Sequence, residues 1–146
     1  MNCIIIEDEP LAQEVLENFI NRIPHLVLVG KSNNALDAFQ LLHSHTVDLM
    51  FLDIQMPGIN GLDFLRSLKS PPAVIFTTAF AEHAVTGFEL EAIDYLLKPI
   101  NYERFEKAIR ECKVNCVNIT SSLVEALQPP PRKKSPKALS LSPNLI

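Results

Sequence analysis

A chain of 146 residues, 47% hydrophobic and 21% charged, can bury one core without disulfides or structural metals. No uninterrupted apolar run approaches the roughly 18–20 residues a membrane-spanning helix needs, which excludes a transmembrane protein. The net charge of −4 is unevenly spread: residues 129–146 hold Arg132, Lys133, Lys134 and Lys137 with no acid, so residues 1–128 carry −8.

The segment Met1–Glu7 has no basic region and meets acid after a short apolar run, unlike a signal peptide. Cys3, Cys112 and Cys116 are odd in number and form no CxxC, which argues against a secreted disulfide scaffold or a zinc module and for a reducing cytoplasm.

Taken in order, the elements alternate. Cys3–Ile6 is an apolar, β-branched run suited to a strand buried on both faces. Pro10 suits the first turn of a helix whose apolar residues, Leu11, Val15, Leu16, Phe19, Ile20 and Ile23, run to Pro24. Leu26–Gly30 is a second strand. Asn33 or Asn34 caps a helix with Leu36, Phe39, Leu41 and Leu42 on its apolar face. Leu49–Leu52 is a third strand ending at Asp53. The turn pairs Pro57-Gly58 and Asn60-Gly61 lead into a helix with Leu62, Leu65 and Leu68. Ala73–Phe76 is a fourth strand, a short helix is expected at about 82–88, and a fifth strand lies around Tyr95–Leu97. The last helix starts near Asn101, with Phe105, Ala108, Ile109, Cys112 and Cys116 on one side. Ser122 and Glu125 have capping-box spacing for a short helix at about 122–128, before a basic Pro/Ser-rich segment with the composition of disorder.

Strands joined by helices of this length predict an α/β fold, a doubly wound parallel sheet with helices on both faces. In such sheets ligands bind beyond the carboxyl ends of the strands. Those ends read Glu7-Asp8, Asp53, Thr77-Thr78 and Lys98-Pro99. Each alone has an ordinary explanation: acids favour a helix start, aspartate forms turns, threonine suits strand ends. Together they place three carboxylates, a hydroxyl and an ammonium on one edge. Clustered carboxylates call for a cation, and Mg2+ prefers oxygen ligands and bridges to phosphoryl oxygens. A carboxylate among them can act as nucleophile and form an acyl phosphate.

At these residues the chain resembles the receiver domain of bacterial two-component response regulators, over about residues 1–117. Ile4–Pro10 matches the family's acidic pair, Asp53–Gly61 its phosphoacceptor segment, Thr78-Ala79 its switch hydroxyl and small residue, and Asp94–Pro99 its aromatic switch and lysine-proline signature. The resemblance implies a five-stranded sheet of order 2-1-3-4-5. It implies Asp53 as phosphoacceptor, and Mg2+ held by Asp8, Asp53 and the backbone carbonyl of Gln55, with Glu7 acting directly or through water. Lys98 then binds the phosphoryl group, ahead of a cis bond to Pro99. Thr78, chosen over Thr77 because it directly precedes Ala79, swings toward the phosphoryl group as Tyr95 turns inward. The expected readout is the face of helix 4, strand 5 and helix 5 (the predicted 82–88 helix, fifth strand and last helix), which binds a partner or a second copy.

Residues 79–95 further resemble receivers that precede a LytTR-type DNA-binding domain, which the 29 residues after Val117 are too few to supply. The implied phosphodonor is a histidine kinase or phosphotransfer protein, and DNA is expected only through an output domain absent from this chain. Two other readings exist. An aspartate-nucleophile phosphatase needs a second Asp two residues past the nucleophile, where this chain has Gln55. A receiver-shaped module that no longer accepts phosphate would have lost an acid, the acceptor or the lysine, and this chain keeps all of them.

Overall fold

The computed structural model describes residues 1–81 and 90–112. The expected helices at 82–88 and 122–128, Cys116, the boundary at residue 117 and the basic segment lie outside them. β1 (Asn2–Ile6), β2 (Val27–Ser32), β3 (Leu49–Asp53), β4 (Ala73–Thr78) and β5 (Asp94–Leu97) form one sheet of order β2-β1-β3-β4-β5. All four neighbouring pairs run parallel. α1 (Pro10–Asn21), α2 (Ala35–Ser44), α3 (Gly61–Arg66) and a helix at 102–112 complete the described elements.

The central position of β1 and β3 follows from their composition. Cys3, Ile4, Ile5 and Ile6, and Leu49, Met50, Phe51 and Leu52, are all fully buried, so both faces of these strands are covered. Side chains alternate between the two layers. Ile4, Ile6, Met50, Leu52, Val74 and Phe76 join Ala38 of α2 and Leu62, Phe64 and Leu65 of α3 in one cluster. On the other face Phe51 stacks on Phe105 of the 102–112 helix, with ring centroids 5.4 Å apart. Phe19 of α1 meets both Phe105 and Tyr102 at 5.4 Å. The Arg22 guanidinium lies 4.7 Å from the Tyr102 ring centre, closing the seam between the two helices.

Helix starts follow cap chemistry. Of the two asparagines before α2, Asn34 is the cap, its Oδ1 accepting from the Asp37 amide at 2.9 Å. Asn60 and Asn101 do the same for α3 and the 102–112 helix. Several expectations change: α3 ends at Arg66, so Leu68 follows it instead of lying on it, and β4 runs on through Thr77 and Thr78. β2 continues to Ser32, because its ladder with β1 persists through Ile6↔Ser32. Leu36 is 69% exposed: α2 buries Ala38 instead, so Leu36 lies off its covered stripe. Leu11 is 67% exposed for the same reason, at the uncovered start of α1, whose buried residues are Leu16 and Ile20.

Candidate functional site

Because every strand runs the same way, the carboxyl ends of β1, β3, β4 and β5 share one edge of the sheet, and their terminal residues meet there. β1 runs into Glu7, which is fully buried. Its N–H donates to the Ser32 carbonyl at 2.9 Å, and its Oε2 accepts from the Glu9 amide at 3.1 Å. Asp8, next in the chain, is exposed. β3 ends on Asp53, buried, whose Oδ1 accepts from the Gln55 amide at 3.1 Å. One carboxylate oxygen each from Glu7, Asp8 and Asp53 lies within 4.8 Å of the others.

The edge has fewer positive charges than negative ones. Lys98 follows β5, with Nζ 2.8 Å from Glu7 Oε1, 3.5 Å from Asp53 Oδ2 and 3.7 Å from Oε1 of the exposed Glu9. One ammonium therefore serves two buried carboxylates. Burial and then the facing Glu7 carboxylate push Asp53 up to about 8, against the pull of Lys98 and the Gln55 N–H. Burial works against the charge on Lys98, yet Glu7, Asp53 and Glu9 hold its proton above the usual lysine range. Three convergent carboxylates with surplus negative charge are a donor set that fits Mg2+, a hard cation that seeks oxygen. Glu7 Oε2 accepts from the Glu9 amide, while Oε1 lies 2.8 Å from Lys98 Nζ but accepts no hydrogen bond among the described residues, so all three carboxylates keep an oxygen that could face a cation.

The remaining expected site residues surround this group. Thr78 is buried, and its hydroxyl accepts from the Phe80 amide at 3.0 Å, so its own proton stays available for donation. Thr77 stands in register with Asp53 and is also buried, its hydroxyl without a hydrogen-bond partner among the described residues. Ala79 is exposed. Tyr95 is half-buried against the cluster of α2 and α3. The Lys98–Pro99 peptide bond is cis, and the Lys98 amide donates to the Thr78 carbonyl at 2.7 Å. Gly61 opens α3 so close to β3 that a Cβ there would overlap the Asp53 carbonyl oxygen. No side chain fits.

Four participants escape sequence reasoning: Glu9, Gln13, Ser32 and Arg104. Gln13 donates to the Glu7 and Ser32 carbonyls, and Arg104 grips Asp94 and the Tyr95 carbonyl. Gln13 left a trace, since it falls on the stripe of Leu16 and Ile20, where a polar residue needs a reason. Arg104 left none, being one more charged residue on a helix. The opposite end of the sheet, by contrast, has a half-open cavity of about 410 Å³ among Leu42, His43, Lys69 and Pro71, with no acid in its wall.

A five-stranded parallel sheet of order 2-1-3-4-5, with an acid cluster and a lysine at its carboxyl edge, places the chain in the class of flavodoxin-like α/β domains. Residues 3–110 match the family model for the response regulator receiver domain, and the chain belongs to that family. It is 43% identical over 108 residues to the transcriptional regulatory protein BtsR of Escherichia coli, which covers 73% of this chain and 45% of BtsR. To the sensory transduction protein LytR of Staphylococcus haemolyticus it is 40% identical over 116 residues, 77% of this chain and 45% of LytR. The chain thus spans under half the length of these curated relatives. Among solved structures, the response regulatory domain of mrkE from Klebsiella pneumoniae superposes with a TM-score of 0.72 at 37% identity, covering 79% of this chain and 97% of that one. The response regulator TrrA of Thermotoga maritima, solved in complex with Mg2+ and BeF, shares the fold at a TM-score of 0.65 and 24% identity, covering 76% and 97%. Among the described residues no helix is long and apolar enough to cross a membrane.

Proposed function

We propose that this receiver domain accepts a phosphoryl group on Asp53 from a histidine kinase or phosphotransfer protein and switches a partner-binding face in response. The observation that carries this reading is the charge deficit at the edge: among the described residues, Glu7 and Asp53 are buried together against Lys98 alone. In the reaction an Asp53 carboxylate oxygen forms the new O–P bond while the donor's N–P bond breaks, and the departing imidazole takes the electron pair. Asp53 must be ionised to attack, and a cation beside it favours that form. Asp8, Asp53 and the Gln55 carbonyl would hold Mg2+, which supplies charge neutralisation for the transferring group. Glu7 acts directly or through water, its Oε1 being buried at the edge without a hydrogen-bond donor among the described residues. Lys98 leaves the carboxylates to meet a phosphoryl oxygen, and the Thr78 hydroxyl donates to another, with Ala79 leaving room beside it.

Movement of Thr78 is felt at β5 because the Thr78 carbonyl accepts from the Lys98 amide. Tyr95 then turns inward, and the face of β5 with its flanking helices presents itself to a partner or a second copy. The likeness to the transcriptional regulatory protein BtsR and to LytR supports control of transcription through a LytTR-type output domain. The domain acts as an enzyme only on its own aspartyl phosphate.

Incubation with Mg2+ and a small-molecule phosphodonor, followed by intact-mass measurement, tests the reading. The expected result is a gain of one phosphoryl group that disappears in Asp53→Asn. Unchanged labelling in that variant sinks the role of Asp53. An unlabelled wild type supports instead a receiver-shaped interaction module.

A further inference from the structure

Glu7 lies one residue beyond the paired part of β1, whose last partner in β3 is Leu52 opposite Ile6. A chain leaving a sheet at that point normally gains freedom; this one is fastened on both sides. The Glu7 N–H is bound by the Ser32 carbonyl at 2.9 Å. Its C=O is bound by the Gln13 side chain, whose Nε2 donates at 2.6 Å to Glu7 O and at 3.2 Å to Ser32 O. An amide nitrogen has two protons to give, and both go to backbone carbonyls. Ser32 is itself secured, its hydroxyl donating to the Asn34 carbonyl at 2.6 Å and accepting from the Asn34 amide at 3.2 Å. Gln13 therefore ties α1 to the exits of β1 and β2, beside the cap of α2.

The Glu7 carbonyl belongs to the same rigid plane as the Asp8 amide and Cα. Fixing that carbonyl fixes the position of the Asp8 Cα and so narrows the directions open to its side chain. Asp8 needs such help: it is exposed, and its carboxylate has no ion-pair partner among the described residues. Glu7 by contrast is held by its own side-chain contacts. We propose that Gln13 is a positioning residue for metal binding: by clamping the Glu7–Asp8 peptide to β2, it aims the Asp8 carboxylate at the point where Asp8 and Asp53 can ligate one cation. The proposal rests on the acceptor-site reading above and adds a residue that touches neither metal nor phosphoryl group.

Gln13→Met tests it, because methionine keeps the length and helix preference of glutamine and removes both donors. The probe is Mg2+ alone, titrated into the full chain and followed by the amide resonances of Asp8 and Asp53. Loss of a group that orients a ligand weakens metal binding by about tenfold or more, and that weakening is the expected result. In metal-free protein the Glu7 amide is also expected to exchange its hydrogen faster in the variant. Ile109→Val, a core change remote from the edge, controls for general loosening. Wild-type Mg2+ affinity in Gln13→Met overturns the proposal while leaving the acceptor-site reading intact. Equal weakening in an Ile109→Val variant of matched thermal stability overturns it too. Failure of the wild type to bind Mg2+ overturns both.

Discussion

β5 is four residues long, and each of its ends meets a different kind of ion pair. At its start, Asp94 receives two parallel hydrogen bonds from Arg104, at 2.8 and 2.6 Å, with a third from Arg104 to the Tyr95 carbonyl at 3.1 Å. The guanidinium meets this carboxylate at two points, and Glu111, hydrogen-bonded to Asp94 as well, has its carboxyl held above the usual range by that contact. Burial works against the charge on Asp94, but the Arg104 hydrogen bonds prevail and hold its carboxyl below the usual range. Past the other end, Lys98 faces Glu7, Asp53 and Glu9, and Asp53 is pushed the opposite way. The first group, Asp94 with Arg104 and Glu111, holds β5 to the 102–112 helix through hydrogen bonds that keep Asp94 ionised. The second is short of positive charge, and that shortage makes it receptive to a cation. Two ion pairs at the ends of one strand thus divide the work between holding and responding.

The largest test of this contrast is Lys98→Met. It strips two buried carboxylates of the one close ammonium found among the described residues and is expected to destabilise the metal-free domain by about 3–5 kcal/mol, measured by urea denaturation. Saturating Mg2+ should restore much of the loss; a variant as stable as the wild type would show that the edge is not short of charge at all.

Next comes pH. The folded pKa of Asp53 is raised to about 8, so between the unfolded value near 4 and that point the native state binds the extra proton. Metal-free stability is therefore greatest below about pH 4 from this group and is lost as pH rises toward 8. The local slope is at most about 1.4 kcal/mol per pH unit. Asp53→Asn should flatten this slope in chemical denaturation between pH 6 and 7.5, and so should Mg2+. A slope that persists in the variant assigns it to another group.

The smallest effect is expected at the Asp94–Arg104 pair. Arg104 is over a third exposed, so Arg104→Met should lose only about 1–2 kcal/mol, with Mg2+ binding unchanged. Asp94 has a depressed pKa, so its contribution is present above the unfolded value near 3.9 and fades as pH falls through the folded one. Altered Mg2+ affinity in this variant would erase the proposed division between the two ends.

The sequence made the edge legible through a simple rule: in a parallel sheet, whatever follows each apolar run arrives at the same place. Glu7, Asp53 and Lys98 lie 46 and 45 residues apart, yet each directly follows or ends a buried strand. The caps were legible too, since asparagine before an amphipathic run has one common use. Side chains whose partners come from another element were hidden. Gln13 bonds residues 6 and 19 positions away, and Arg104 bonds one 10 positions back, so neither has a local pattern to betray it. The burial errors at Leu11 and Leu36 have a related origin. Helical spacing tells which residues share a face, but the extent of the neighbouring layer decides which of them are covered.

Gly61 extends this to residues that make no contact through a side chain. Its amide donates to the Ile54 carbonyl at 2.7 Å, and the space a Cβ would need is filled by the Asp53 backbone. An alanine there cannot be accommodated by a rotamer change, because the obstacle is main chain; either α3 lifts or the end of β3 shifts. In a map of which substitutions the domain tolerates, position 61 should therefore be as restrictive as Asp53, the proposed acceptor. A residue that offers no donor, no acceptor side chain and no charge would behave as part of the reaction centre, because the absence of its side chain is what lets that centre keep its shape.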